Sequence, residues 1–193
     1  MTKALLAFSR LIDTLTALIG RYVKWLILAA ILLSAANAIL RKAFDLSSNA
    51  WLELQWLLFG AVFVLAAADT LQKNAHVRID VVSSRLSKRS RDVIELSCHL
   101  LFLAPFALIL LCLSWPYARD SFIEGEISSN AGGLPVWPAK FIIFCGFLLL
   151  ILQMISEVIK RGAVIAGVIA DPVEQPRHGH TPADTSVGGA HPQ

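Results

Sequence analysis

Four long apolar blocks, separated by short polar connections, constrain this chain more than any other feature of its sequence. The blocks cover about 22–40, 50–71, 93–117 and 137–160, and a helix needs roughly 20 apolar residues to cross the hydrocarbon core of a bilayer. Inside a bilayer every backbone polar group must find its partner within the protein, so such segments fold as helices. The sequence therefore predicts an all-α integral membrane protein with four transmembrane helices.

The composition agrees with a chain that is solvated mainly by lipid. Hydrophobic residues make up 56% of the 193 residues and charged residues 16%, against roughly 25% charged in a soluble domain. We expect a single membrane domain over residues 1–170. Residues 171–193 are rich in Pro, Gly and His and have the composition of a disordered tail. The basic residues form no dense stripe of the kind that binds nucleic acid.

The N-terminal segment has a different pattern from the four blocks. Apolar side chains recur at steps of three and four along residues 4–20, and Arg10, Asp13, Thr14 and Thr16 lie off that stripe. This pattern is typical of an amphipathic helix that lies along the bilayer surface. Charged residues interrupt the place where a signal peptide would have its apolar core, so we expect the segment to stay on the mature protein.

The distribution of basic residues predicts the orientation. Thirteen Lys and Arg residues fall in the N-terminal segment, the 72–92 connection and the region after the fourth span, whereas only Arg41, Lys42, Arg119 and Lys140 fall on the other side. Basic residues concentrate on the cytoplasmic side of membrane proteins. Both termini, including the tail, are therefore predicted to be cytoplasmic.

Ionisable residues inside a predicted span are candidates for function because burying them is costly. Glu95 and His99 stand four residues apart in the third span, where they share one helix face. The pair suits a proton relay, but both residues lie near the inner end, where water reaches them, so we favour a structural or subunit-contact role. No other histidine lies in a span, so a b-type haem would need its second ligand from a partner chain.

The sequence carries no motif for catalysis, nucleotide binding or metal binding. It has no Walker A loop, dinucleotide fingerprint, HExxH helix or GxSxG elbow, and Cys98, Cys112 and Cys145 sit in apolar blocks without ligand spacing. We therefore expect no enzymatic activity and no cofactor. Four spans leave little room for the repeats of a complete secondary transporter. A membrane anchor of a redox enzyme and a small self-assembling channel or regulator remain as alternatives.

Three groups of residues form recognisable motifs. They are Asn49, Trp51, Glu53, Trp56 and Gly60 in the second span, His76, Arg78 and Asp80 in the sequence HVRID, and Glu126, Ser128, Pro135 and Trp137 in the sequence GEISSNAGGLPVW. Together they resemble the small membrane subunit, or DctQ-type small permease, of tripartite ATP-independent periplasmic (TRAP) transporters. The last motif is similar to the subgroup associated with mannitol, chloroaromatic or 2-oxo acid compounds, and differs from the shorter loop of sialate and dicarboxylate members.

The resemblance implies a three-part complex in the bacterial inner membrane. A periplasmic binding protein would deliver an organic acid, a large membrane subunit would carry it with sodium coupling, and this chain would brace the large subunit. The motif residues would then belong to the fold and the subunit interface, and the substrate site would lie elsewhere. On the residues alone, Glu53 also fits a helix N-terminus, and Arg78 with Asp80 fits an interfacial ion pair worth under about 1 kcal/mol.

Overall fold

The chain is helical through most of the part that the structure describes. The computed structural model describes residues 2–45, 48–73 and 88–167. Its elements, in chain order, are α1 Thr2–Phe44, α2 Asn49–Gln72, α3 Lys88–Cys98, a π-helical segment His99–Leu103, α4 Ala104–Ile123 and α5 Trp137–Ile165.

Four helical stretches are long and apolar enough to cross a membrane. They are Ala4–Phe44, Asn49–Gln72, Leu96–Ile123 and Trp137–Ile165. The predicted all-α membrane fold with four spans is confirmed. The predicted tail at 171–193 lies outside the described residues.

The first helix differs from the prediction because it is undivided. The sequence pattern predicts a surface helix over 4–20 and a separate span over 22–40, whereas α1 is a single helix of 43 residues. Gly20 lies at the expected boundary, but a Cβ atom there would lie only 2.5 Å from the side-chain Cγ of Asp69 on α2. The glycine therefore permits close packing of two helices and does not end α1.

Part of the polar face of the N-terminal segment of α1 points into the protein, whereas Arg10 and Thr14 are exposed. Ser9 and Thr16 are buried, whereas Leu11, Leu15 and Leu18 of the apolar stripe are exposed. This arrangement suits lipid, because the apolar side chains face hydrocarbon and the polar ones find partners between helices. The segment keeps its predicted amphipathic character, and its polar face contacts α5.

A π-helical segment interrupts the third span just before Pro105. Within it the backbone N–H of Ala104 bonds to the carbonyl of His99, five residues earlier, as in a π-helix. Proline has no N–H and cannot take part in the regular i to i−4 pattern. The change of hydrogen-bond register therefore falls next to the proline.

The third span also extends beyond its predicted end near Pro116. Helix α4 continues through this proline to Ile123. Proline at this position removes the one backbone hydrogen bond to the carbonyl of Cys112, and the helix continues on both sides of it. Pro116 therefore does not end α4.

Helix α5 is the centre of the bundle, with contacts to α1, α2 and α4. Its inner half supplies Leu150, Ile151 and Met154 to the apolar core, together with Leu71 of α2 and Ala107 of α4. As predicted, the helix begins at Trp137 with Pro138 in its first turn. Proline is well suited to this position because the first N–H groups of a helix lack intrahelical partners.

The closest approach of α2 and α5 occurs at Gly146. A Cβ atom on this residue would lie 2.0 Å from Cγ1 of Val64, a distance that real Cβ atoms do not adopt. Small residues at helix crossings allow backbones in membranes to pack closely. The crossing therefore depends on glycine at this position.

Candidate functional site

The connection between α4 and α5 folds into a compact loop. Its two sides are joined by the N–H of Ser128, which donates to the carbonyl of Leu134 at 3.0 Å, and by the N–H of Val136, which donates to the carbonyl of Glu126 at 3.0 Å. Ile127 and Pro135 form an isolated antiparallel bridge. The loop thus has a defined conformation of its own.

A glutamate on α2 holds this loop against the start of the helix. Oε1 of Glu53 accepts a hydrogen bond from the hydroxyl of Ser128 and another of 2.7 Å from the side-chain amide of Asn130. Its Oε2 accepts the backbone N–H of Leu134 at 2.7 Å. We call Glu53, Ser128, Asn130 and Leu134, with Asn49, the loop clasp.

Asn49 and two glycines complete the loop clasp. The side-chain amide of Asn49 donates to the carbonyl of Ala131 at 3.1 Å. Gly132 has φ +70°, a conformation that L side chains rarely adopt, and a Cβ atom on Gly133 would lie 2.6 Å from Cβ of Ser128. The consecutive glycines of the GEISSNAGGLPVW motif are therefore required by the turn itself.

A second link joins the loop to α5. The ammonium of Lys140 forms an ion pair and hydrogen bond with Glu126, and its Nζ lies 3.9 Å from the ring centroid of Tyr117, within range of a cation–π contact. Lys140 is buried. The hydrogen bond from Lys140 lowers the pKa of Glu126 below the ordinary value of a glutamate, 4.5.

The ion pair of Glu126 with Lys140 predicts that the stability of the loop depends on pH. Because the folded-state pKa is depressed, the contribution of this carboxylate to stability is present above its unfolded value of 4.5 and is lost as the pH falls through the lower folded value. We expect the protection of amides in residues 124–136, measured against an unstructured peptide at the same pH, to stay high at pH 5 and to fall on further acidification. Glu126→Gln should already show lower protection at pH 7 and a smaller step, because Glu53 still holds the loop, and an unchanged step would contradict the assignment.

Aromatic rings pack along the outer halves of α4 and α5. Phe122 and Trp137 meet edge to face with centroids 5.3 Å apart, and Phe141 lies 6.4 Å from Phe122 and 6.1 Å from Trp137. Edge-to-face pairs contribute about 0.5–1.5 kcal/mol beyond their area. The predicted motif residue Trp137 therefore anchors the start of α5 to the end of α4.

An apolar groove lies beneath the loop clasp, between α2 and α5. It has a volume of about 440 Å³. Its floor and walls include Trp56, Gly60, Val64, Ala139 and Ile142. Glu53, Ser128 and Asn130 of the loop clasp also line it. We refer to this feature as the clasp groove.

A separate set of polar side chains joins the N-terminal part of α1 to α5. We call Ser9, Asp13, Gln153, Ser156, Glu157 and Lys160 the inner polar cluster. The Asp13 carboxylate accepts hydrogen bonds from Gln153 at 2.9 Å, Ser156 at 2.8 Å and Lys160 at 3.1 Å.

The remaining bonds of the inner polar cluster place one ammonium between two carboxylates. Lys160 also pairs with Glu157 at 2.5 Å, and Ser9 and Ser156 share a hydrogen bond of 2.7 Å between their hydroxyls. Gln153, Ser156 and Glu157 are buried. Lys160 therefore compensates two largely buried negative charges.

The structure brings most of the predicted motif residues together. Asn49, Glu53, Glu126, Ser128, Pro135 and Trp137 meet in the loop and its contacts, and Trp56 and Gly60 line the clasp groove. Trp51 is exposed on α2. His76, Arg78 and Asp80 lie outside the described residues, and so does the side chain of Glu95. His99 is partly buried at the start of the π-helical segment.

Sequence reasoning did not identify the inner polar cluster. It assigned Asp13 to the polar face of a surface helix and Lys160 to the exit of the fourth span. The signal was present in Gln153, Ser156 and Glu157, three polar residues in the predicted fourth span. Among the residues that the structure describes, no three His, Cys, Asp or Glu side chains are grouped so as to hold a metal ion.

Comparison with known proteins places the motifs in a family context. The family described as "Tripartite ATP-independent periplasmic transporters, DctQ component" matches the chain over residues 30–163. This range contains the whole loop clasp and the α5 half of the inner polar cluster. Neither the curated proteins nor the solved structures that were compared gave a match.

Proposed function

Since this chain belongs to the DctQ family, the small component of tripartite ATP-independent periplasmic transporters, we propose that it braces the large permease subunit during ion-coupled uptake. The membership and the four apolar helices make it a multi-pass membrane component of a transporter. In our proposal the membrane is the bacterial inner membrane. The family assignment does not favour the redox anchor or the self-assembling channel.

The observation that carries the bracing role is the loop clasp. Three hydrogen bonds to Glu53 and one from Asn49 fix the loop to α2, and α5 packs against the other spans. A subunit with these contacts presents a fixed surface. A partner that moves within the bilayer needs such a surface, and we propose that the motif residues of α2 and of the loop form part of it.

We propose sodium as the coupling ion and an organic acid, delivered by a periplasmic binding protein, as the substrate. The GEISSNAGGLPVW loop supports the subgroup associated with mannitol, chloroaromatic or 2-oxo acid compounds. The substrate and ion sites would lie in the large subunit.

For the orientation, we propose that both termini are cytoplasmic. The excess of Lys and Arg in the N-terminal segment, the 72–92 connection and the region after α5 supports this arrangement. A reporter fused to the C-terminus should then be active in the cytoplasm, and a reporter in the 124–136 loop should be active in the periplasm. The opposite pattern would refute the orientation.

The experiment that tests the function is reconstitution of uptake. We expect proteoliposomes with this chain alone to accumulate no 2-oxo acid under a sodium gradient, and uptake to require the large subunit, the binding protein and this chain together. Omitting this chain should reduce uptake to background. Uptake by this chain alone, or undiminished uptake without it, would refute the proposal.

The exposed acidic residues of the loop region predict an effect on the encounter with the binding protein. Asp120 and Glu124 are exposed, whereas Glu126 is paired with Lys140. Surface charges mainly change association rates in a salt-dependent manner. Reversing Asp120 and Glu124 to Lys should slow initial uptake at limiting binding protein by about tenfold at low salt and less at high salt.

The matched control for this charge reversal is Glu126→Gln. It alters an internal contact of the loop and changes the loop charge by one unit against four in the double variant, so it should lower the yield of assembled complex and change the salt dependence of uptake much less. Equal uptake by the double variant and the native chain at low salt would show that the loop does not steer the binding protein.

A further inference from the structure

The clasp groove lies between two helices that can cross a membrane, so we place its open side against lipid. Its walls belong to α2 and α5, both of which are long and apolar enough to span a membrane. Trp56, Leu57, Ala61, Ile142 and Ile143 give it an apolar lining. Only its upper end, under the loop clasp, is polar. A ligand of this groove must therefore be mostly apolar with one polar end.

The dimensions of the groove favour a single extended chain. Its α2 wall runs from Glu53 to Val64, which is about 16 Å at the rise of an α-helix. The groove is therefore elongated and apolar, a shape that an extended hydrocarbon chain can follow.

The charge at the polar end identifies the kind of headgroup. Glu53 accepts hydrogen bonds only from the uncharged donors of Ser128, Asn130 and Leu134. In the part of the chain that the structure describes, no ion pair includes this carboxylate. Its Oε2 accepts one of these bonds, and a carboxylate oxygen can accept a second. An ammonium group complements this site, and an anionic headgroup does not.

We propose that the clasp groove binds one phospholipid with an amine headgroup, from the leaflet on the side of the loop. One acyl chain lies along Gly60 and Val64, and the ammonium donates to Glu53. The bound lipid would fill the surface between α2 and α5 below the loop. This site does not depend on the transport role of the complex, because it is formed by this chain alone.

Native mass spectrometry of the full-length chain tests the proposal. The protein is released from nanodiscs that contain equal amounts of phosphatidylethanolamine and phosphatidylglycerol. We expect one retained lipid, with phosphatidylethanolamine enriched about tenfold, the equivalent of one charge-assisted hydrogen bond. Retention of no lipid, or of both lipids equally, would overturn the proposal.

Two variants and a control locate the site. A Cβ atom on Gly60 meets nothing within 4 Å, so Gly60→Leu should fill the groove without disturbing the backbone and lower the retained lipid about tenfold. Glu53→Gln should keep a bound lipid and lose the preference for the amine headgroup. Cys145→Leu adds bulk at an exposed position on α5 and should retain the lipid as the native chain does.

The competing occupant is a side chain from another protein. In that case Gly60→Leu would leave lipid retention unchanged and reduce copurification of the large subunit, and this result would overturn the proposal. The lipid content of each variant is measured in its monodisperse fraction. A Gly60→Leu variant that does not give this fraction is replaced by Ala139→Leu, which narrows the same groove from α5, with the same expected loss.

Discussion

Gly146→Ala should destabilise the bundle by about 1–3 kcal/mol, although it adds a single methyl group. The added Cβ would lie 2.0 Å from Cγ1 of Val64, so α2 and α5 must move apart or Val64 must change its rotamer. Either change disturbs the helix that contacts the other spans. Reversible unfolding in mixed micelles, followed by tryptophan fluorescence, measures the loss.

Two further variants separate this clash from a general effect of removing glycine. Val64→Ala removes the nearest atom but leaves Cβ at 3.1 Å and the backbone carbon at 3.2 Å, so the double variant should recover only part of the loss. Gly60 lies on α2, and a Cβ atom added there would meet nothing within 4 Å. Gly60→Ala should therefore leave the stability unchanged or raise it by up to about 1 kcal/mol. Equal destabilisation by both glycine variants would refute the packing explanation.

Lys160→Met should destabilise the contact between α1 and α5 by an amount toward the lower end of about 3–5 kcal/mol. The side chain of Lys160 is 21% exposed, that of Asp13 23% and that of Glu157 6%. Removing the ammonium leaves the carboxylates of Asp13 and Glu157 without this cation. The partial exposure of Asp13 to solvent reduces the free-energy cost. Amide exchange should rise first in residues 4–20 of α1, before the rest of the bundle opens.

The matched control is Lys73→Met, which removes an ion pair with Asp69 at the end of α2. Lys73 is 54% exposed and its partner Asp69 16%, so Lys73→Met leaves one mostly buried carboxylate, against two for Lys160→Met, and should cost less. The second variant of interest is Asp13→Asn combined with Lys160→Met, which removes one charge of each sign and should restore part of the stability. Similar losses for Lys160→Met and Lys73→Met would show that burial of the inner polar cluster is unimportant.

The sequence predicts the spans well because hydrocarbon imposes a simple length rule. The start of α5 at Trp137 and the bounds of α2, Asn49–Gln72, fall within a residue of the prediction. Pro116 was a poor guide to the end of the third span, since α4 runs on to Ile123. A proline inside a membrane helix removes one backbone hydrogen bond, here to the carbonyl of Cys112, and does not by itself end the helix.

The candidate site was predictable only in part. Motif resemblance identified Glu53 and Ser128, but their mutual hydrogen bond joins residues 75 positions apart, and no periodicity reports such a contact. Asp13 illustrates the opposite error. On a surface helix a polar stripe predicts contact with water, whereas here the same stripe contacts Ser156 and Lys160, because the protein interior is the more polar environment at this depth.

The undivided helix α1 has a mechanical consequence. With 43 residues it is about 64 Å long, roughly twice the thickness of the hydrocarbon core. No break in the helix separates its N-terminal third from the span, so the two parts change their tilt together. A tilt of the span by about 10° would displace Ala4 by about 4 Å relative to Gly20. Asp13 joins α1 to α5 through hydrogen bonds. A displacement at either end of α1 therefore acts on the helix at the centre of the bundle.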